Sequence, residues 1–101
     1  VVPPVLEALP YSIKEIFGMS PLVVGPGIRT GMPIFYSHPA EVGADRIVNA
    51  VAGYEHFREQ TIVVDFGTAT TFDVIDAQGR YSGGVIAPGV NLSVSALHEA
   101  T

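Results

Sequence analysis

Several kinds of residue are absent or scarce in this sequence. Its 101 residues include no cysteine and no tryptophan, and only five of them are basic. The absence of cysteine excludes disulfides and cysteine-ligated metal sites and fits a reducing cytosol. The five basic residues are scattered and outnumbered by ten acidic ones, so we expect no nucleic-acid partner. No apolar run approaches the roughly 20 residues of a membrane span, so we expect no membrane association.

The residues that are present indicate a folded domain. Hydrophobic residues make up 48% of the chain and charged residues 15%, which is typical of a globular protein rather than a disordered one. The chain begins with valine instead of methionine and ends in an uncapped helical pattern. We therefore expect it to be an internal portion of a longer protein.

Helical patterns flank a long loop in the first part of the chain. Residues 1–17 have apolar side chains near helical spacing, and Pro10 is expected to kink or split that helix. Residues 21–24 have the pattern of a short buried strand, and residues 25–27 that of a turn. Residues 28–39 form a loop rich in Gly and Pro, a kind that is more often functional than idle.

A second helix is predicted from Ala44 to about residues 59–60. Its apolar stripe comprises Ile47, Val51 and Tyr54, and Val48 and Ala52 widen it.

A β-meander is predicted after residue 60. An apolar strand over residues 62–64 ends at Asp65, and residues 70–75 alternate as a half-buried strand, with Phe72 and Val74 on one side. Residues 77–79 are predicted to form a hairpin tip before a returning strand over residues 80–86.

The rest of the chain is predicted from local signals around that meander. Asp73 and Asp76 flank the hairpin tip, where we expect them at the surface. Asn91 or Ser93 is expected to cap a closing helix. Because the pattern changes near residue 60, we predict two domains that meet there: residues 1–60 end the first, and residues 61–101 begin the second.

Three segments carry candidate chemistry. Gly-Ala-Asp-Arg at residues 43–46 begins a predicted helix, where an acid accepts a proton or caps the helix and the arginine holds an anion or is solvated. Asp-Phe-Gly-Thr-Ala-Thr-Thr at residues 65–71 combines an acid, a glycine turn and hydroxyls, which suits phosphate and a cation as well as an ordinary hairpin. Gly-Gly at residues 83–84 indicates a bulge or the close approach of a backbone or ligand.

The order and spacing of these segments resemble type III pantothenate kinases. Gly-x-Asp-Arg is followed twenty residues later by Asp-Phe-Gly-Thr-Ala-x-Thr, and then by Gly-Gly-x-Ile-x-Pro-Gly at residues 83–89. The resemblance spans nearly the whole chain. It implies an α/β protein with a ribonuclease H-like (actin-like ATPase) fold, which phosphorylates pantothenate with ATP at the start of coenzyme A synthesis. It also implies a cytoplasmic homodimer.

The resemblance also implies roles for individual residues. Asp45 resembles the family's catalytic proton acceptor. Asp65 resembles its ligand for a monovalent cation, potassium or ammonium, and Thr68 its ATP contact, with Mg²⁺ accompanying the nucleotide. The positions that resemble its substrate-binding residues are Tyr36, Gly43, Ala44, Asp45 and Arg46.

The sequence departs from the family pattern in two places. Tyr-Ser-His-Pro at residues 36–39 replaces a frequent Tyr-Asp-Asn-Pro, and the family's Asp-x-Gly-Asn-Thr phosphate motif does not occur in these 101 residues. We therefore expect the chain by itself to lack turnover. The alternatives are a non-catalytic accessory or regulatory relative and a kinase for another small alcohol.

Overall fold

The computed structural model describes residues 3–25 and 28–101, apart from the side chains of Pro3, Pro4 and Leu6. This part of the chain is mixed α/β, and none of its helices is long and apolar enough to cross a bilayer. Its elements are α1 (Pro3–Phe17), a 3₁₀ turn (Pro39–Glu41), α2 (Ala44–Phe57), β1 (Thr61–Phe66), β2 (Ala69–Ile75), β3 (Tyr81–Pro88) and α3 (Val90–Ala100).

The three strands form an antiparallel sheet in the order β1-β2-β3, which confirms the predicted meander. The hairpin tip over residues 77–79 is also confirmed, because Gly79 N donates to Asp76 O at 3.0 Å. The register between β2 and β3 shifts after Val74, where Gly83 has φ 135°. Gly83 therefore marks the bulge that its sequence position indicated.

One face of the sheet packs against α2. The buried core comprises Met32, Val42, Ala50, Ile75 and Tyr81. These residues come from both sides of residue 60. The proposed division into two domains at that position stays a prediction.

The other face of the sheet is open. Ile62 is 62% exposed, Phe66 is 73% exposed and Val85 is 62% exposed. Since side chains alternate along a strand, the apolar run of β1 divides: Val63 points toward α2 and its two neighbours point away. In β2, Phe72 and Val74 share the open face.

Helix α2 begins at the predicted residue and ends sooner than predicted. Arg58 adopts a left-handed conformation, with φ 56°, directly after Phe57 and stops the helix there. Ile47, Val51 and Tyr54 pack against the core as predicted, but Val48 is 44% exposed and Ala52 is also exposed. The two residues predicted to widen the stripe therefore point toward solvent, and Ala50 lies at its centre.

Two local predictions in the first part of the chain need correction. Helix α1 is not split at Pro10, because a proline lowers helix stability without forbidding a helix whose flanking residues favour it; the alternative, a kink at Pro10, stays a prediction. Residues 21–24 form no strand and Leu22 is 83% exposed, because no described strand pairs with them and a short apolar run does not define a strand alone. Residues 26 and 27 of the predicted turn lie outside the described part.

The start of α3 also differs from the prediction. Gly89 occupies the N-cap position, and Ser93 N donates to Gly89 O at 2.9 Å. Asn91 and Ser93 therefore lie inside the helix and do not cap it. The reason is the early turn at Gly89, where a Cβ atom would overlap the carbonyl oxygens of Gly67 and Thr68.

Candidate functional site

The candidate site begins at the first turn of α2. Gly43 is the N-cap residue, and Asp45 follows in the first helical turn with its side chain exposed. A Cβ atom on Gly43 would lie 2.5 Å from Asp45 Oδ1. Gly43 thus leaves room for the carboxylate beside the helix N-terminus, where unpaired N–H groups and the helix dipole favour an anion.

Arg46, the next residue of the helix, extends to β2 of the sheet. Its Nε donates to Asp73 Oδ1 at 2.8 Å, and its Nη2 lies 2.6 Å from the same oxygen. Tyr81 Oη donates to that oxygen as well, at 2.5 Å. Asp73 is 0% exposed and Tyr81 is 1% exposed, so the pairing is buried. The prediction that Asp73 lies at the surface was wrong, because strand alternation places Asp73 and Ile75 on the face toward α2.

The environment of this cluster changes the acidity of two of its members. Burial raises the pKa of the Tyr81 hydroxyl well above its ordinary value, and the hydrogen bond to Asp73 raises it further. Partial burial by itself lowers the pKa of Arg46, but the hydrogen bond to Asp73 and its charge raise it above the ordinary value. Arg46 is therefore a permanent cation, and Tyr81 remains a hydrogen-bond donor.

The two consecutive glycines of β3 make room for this arrangement. A Cβ atom on Gly84 would overlap Arg46 Nη2 and the carbonyl oxygen of Phe72. A Cβ atom on Gly83 would lie 3.8 Å from Tyr36 Cδ2. The close approach of a backbone that was predicted here is made by Phe72 at Gly84, where the side chain of Arg46 also lies, and the ring of Tyr36 lies beside Gly83.

A second contact joins α2 to the end of β1. Asn49 Nδ2 donates to Asp65 Oδ2 at 3.0 Å. Asn49 is four residues after Asp45, so the two lie on the same side of the helix. Asp45 and Asp65 are thereby brought to the same seam between α2 and the sheet.

The threonines after Asp65 differ in their surroundings. Thr68 is exposed in the tight turn between β1 and β2, whereas Thr70 is buried and Thr71 Oγ1 is buried without a partner. Gly67 N donates to Ala69 O at 3.0 Å, so this N–H stabilises the turn and is not directed at a ligand. Thr68 is the one of these three threonines that is exposed as a residue.

A cleft of about 580 Å³ lies beside the start of α2. Its wall combines part of the long loop with the 3₁₀ turn and the first residues of α2, including Thr30, Met32, Ile34, Pro39, Ala44 and Ile47. The predicted functional loop therefore borders the Gly-Ala-Asp-Arg turn.

The described residues do not by themselves complete a metal site. Nowhere in residues 3–25 and 28–101 do three His, Cys, Asp or Glu side chains meet in a way that would hold an ion. Asp65 is exposed, and Asn49 orients one of its oxygens. A carboxylate oxygen suits a hard cation, so Asp65 fits the part of a single ligand.

The sequence did not identify three residues of this site, which are Asn49, Asp73 and Tyr81. Asp73 and Ile75 are two residues apart in β2, so they lie on the same face of the strand. This spacing was the signal from which the burial of Asp73 could have been predicted. Tyr36, Gly43, Ala44, Asp45 and Arg46, which were predicted together, do lie around the start of α2 and the glycines of β3. Thr68 lies apart from them, in the turn beneath the start of α3.

Known proteins resemble this chain along its whole length. The family model for type III pantothenate kinase matches residues 1–101. A type III pantothenate kinase of Syntrophobacter fumaroxidans is 63% identical over 101 residues, covering 100% of this chain and 39% of that relative. Those of Geobacter sulfurreducens and Syntrophotalea carbinolica are 62% and 60% identical over 99 residues, covering 98% of this chain and 39% of each relative.

An α/β chain with an acidic helix start and a threonine-bearing hairpin is compatible with several kinases that act on small molecules. The family model and the relatives narrow this class of small-molecule kinases to one family. The chain belongs to the type III pantothenate kinase family. It spans about 39% of the length of the curated relatives that it matches.

Proposed function

We propose that the full-length protein transfers the γ-phosphoryl group of ATP to the primary hydroxyl of pantothenate, giving 4′-phosphopantothenate for coenzyme A synthesis. The observation that carries this proposal is the seam at which the helix start with Asp45 and Arg46 meets the hairpin with Asp65. Phosphoryl transfer depends mainly on positioning and charge stabilisation, and such a seam provides both. The family match supports the choice of substrate.

The fold proposed for the full-length protein is the two-domain ribonuclease H-like, actin-like ATPase fold. Residues 1–60 would end the first domain and residues 61–101 would begin the second. The antiparallel meander followed by α3 is compatible with the start of such a domain. We further propose that the protein is a cytoplasmic homodimer.

Asp45 is proposed as the proton acceptor for the pantothenate hydroxyl. A carboxylate at a helix N-terminus is a weak base. That is sufficient, because the hydroxyl loses its proton late in a loose transition state and must above all be aimed correctly. The exposure of Asp45 and its proximity to the cleft residue Ala44 support this assignment.

Arg46 is proposed to bind pantothenate together with Asp45, Tyr36, Gly43 and Ala44. Arg46 stands opposite the buried carboxylate of Asp73 and is 13% exposed at its side chain. One edge of the guanidinium therefore remains accessible for an anion, either the substrate carboxylate or the phosphoryl group in transfer.

The nucleotide is proposed to bind at the hairpin turn. Thr68 would donate its exposed hydroxyl to an ATP phosphate oxygen, and Mg²⁺ would enter with the nucleotide. Asp65 would hold a monovalent cation, potassium or ammonium, whose positive charge would offset the charge of the phosphates.

The test is an assay of the full-length protein with pantothenate and ATP, with the phosphorylated product identified by mass spectrometry. Asp45→Asn should lower turnover by at least about 100-fold with little change in thermal unfolding. Glu41→Gln, just before the cleft-lining Val42, serves as the charge-matched control. Near-normal turnover of Asp45→Asn would remove the proposed base, and turnover with other small alcohols alone would remove the proposed substrate.

A further inference from the structure

We propose that Asp73 and Tyr81 are positioning residues, which fix the guanidinium of Arg46 for recognition of pantothenate rather than of ATP. This inference rests on the proposed function. Neither residue itself lines the cleft, although Tyr81 N donates to the carbonyl oxygen of the cleft-lining Pro33 at 2.9 Å. Their side chains meet Arg46, so both would act through Arg46.

The guanidinium of Arg46 is held along one edge. Arginine has five N–H donors in a planar fork. Asp73 takes the Nε donor and one Nη2 contact, and the carbonyl oxygen of Phe72 lies 3.5 Å from Nη2. Among the residues that the structure describes, no acceptor bonds to Nη1, so one edge of the fork is anchored and the other is available to a ligand.

Tyr81 fixes the carboxylate of Asp73. Its hydroxyl donates to the same Asp73 oxygen that receives Arg46. Its ring is part of the buried core, so the hydroxyl is fixed in place. Tyr81 therefore holds the carboxylate at the position where both nitrogen donors of Arg46 reach it.

The residues near Arg46 differ from those near the proposed nucleotide contact. Tyr36 lies beside Gly83, next to the glycine that admits Arg46, and Asp45 precedes Arg46 in the helix. These are the residues proposed to bind pantothenate. Thr68, proposed to contact ATP, lies in the turn packed against Gly89, at the other end of β2 and β3. Loss of the anchor should therefore affect one substrate and not the other.

The experiment compares Asp73→Asn with the wild type in the full-length protein. The KM for pantothenate should rise at least about tenfold, while the KM for ATP stays within about twofold. Tyr81→Phe should raise the KM for pantothenate by a smaller factor, because Arg46 keeps its partner. Tyr81→Phe also preserves the test should Asp73→Asn fail to fold.

Asp76→Asn is the matched control. Asp76 pairs with an arginine as Asp73 does, but its partner is Arg80 and the pair lies at the exposed tip of the hairpin. Asp76→Asn should change neither KM. A general distortion of the folded protein, without a specific positioning effect, would raise both KM values together in Asp73→Asn. That result, or an unchanged KM for pantothenate, would overturn the proposal.

A second measurement separates this inference from the proposed function. In ¹⁵N-labelled full-length protein, the Arg46 Nε–H signal should exchange slowly with solvent in the wild type and faster in Asp73→Asn. Equal exchange in the two proteins would overturn the positioning role whether or not pantothenate is the substrate. Absence of pantothenate phosphorylation by the wild type would instead count against the proposed function.

Discussion

The hairpin of β2 and β3 takes part in two aspartate–arginine pairs. The distances between the charged atoms are similar, but the two pairs differ in burial and in the elements that they connect. Arg46 Nη2 and Asp73 Oδ1 are 2.6 Å apart, and Arg80 Nε and Asp76 Oδ2 are 2.5 Å apart. The side chains of the first pair are 13% and 0% exposed, and those of the second are 42% and 22% exposed.

The two pairs also differ in what they connect. Arg46 and Asp73 are 27 residues apart and fasten α2 to the sheet, whereas Arg80 and Asp76 are four residues apart and close a turn. Asp76 Oδ1 accepts from Gln78 N at 2.9 Å and from Arg80 N at 3.0 Å. A short distance between opposite charges therefore says little about their role, which depends on burial and on the elements that they join.

The largest expected effect is on the buried pair. Asp73→Ala in the full-length protein should lower the free energy of unfolding by about 3 kcal/mol, because it leaves the partly buried Arg46 without its partner. The midpoint of urea denaturation measures this change. Asp76→Ala should shift the midpoint far less, because exposed pairs contribute little. Equal shifts would show that burial does not separate the two pairs.

A smaller effect is expected from crowding the buried pair without removing a charge. Gly84→Ala should lower the free energy of unfolding by about 2 kcal/mol, because the new methyl group overlaps a backbone oxygen as well as Arg46. Gly25→Ala is the control, since no described atom outside its chain neighbours lies within 4 Å of a Cβ atom there. Thermal unfolding of both variants measures the difference, and an unaltered Gly84→Ala protein would contradict the described packing.

The buried pair should also respond to alkaline pH. The pKa of Tyr81 is raised in the folded protein, so its stabilisation is complete below the ordinary tyrosine value of about 10 and disappears as pH rises through the folded pKa. The difference in urea midpoint between the wild type and Tyr81→Phe should therefore shrink above about pH 10. A difference that stays constant into that range would contradict the raised pKa.

The smallest effect is expected from the exposed pair at acidic pH. Desolvation by itself raises the pKa of Asp76, but hydrogen bonds from Arg80 and Gln78 lower it below the ordinary value. Its stabilisation is thus present above the unfolded pKa of about 4 and disappears as pH falls through the folded pKa. Asp76→Asn should flatten this part of the stability profile slightly, as urea midpoints measured across the acidic range would show.

The contrast between a local pair and a long-range pair also explains which parts of the fold could be predicted from the sequence. The meander, its tip and the start of α2 depend on local signals such as alternation and turn residues, and those predictions were confirmed. The strand over residues 21–24 and the cap at Asn91 or Ser93 depended on partners distant in the sequence. A strand requires a neighbour to pair with, and Gly89 starts α3 early because the β1–β2 turn packs against it.

The residues of the candidate site also differ in whether local sequence signals or distant partners determine them. Asp45, Arg46 and Asp65 are recognisable from local motifs, and the structure brings them to one seam. The buried position of Asp73 was not predicted, because in the sequence Asp73 and Asp76 are both aspartates close to a hairpin tip. They differ only in the folded protein, where Arg46 of α2 pairs with Asp73. The need for glycine at position 84 likewise becomes clear only in the folded protein, where Arg46 lies against it.

The most direct measurement is a double-mutant cycle of Arg46→Met and Asp73→Asn in the full-length protein, read as free energies of unfolding. Two charges that depend on one another should show a coupling energy of about 2 kcal/mol. If the single changes add to within about 0.5 kcal/mol, Arg46 is not anchored by Asp73, and the positioning of the helix start by the sheet is contradicted.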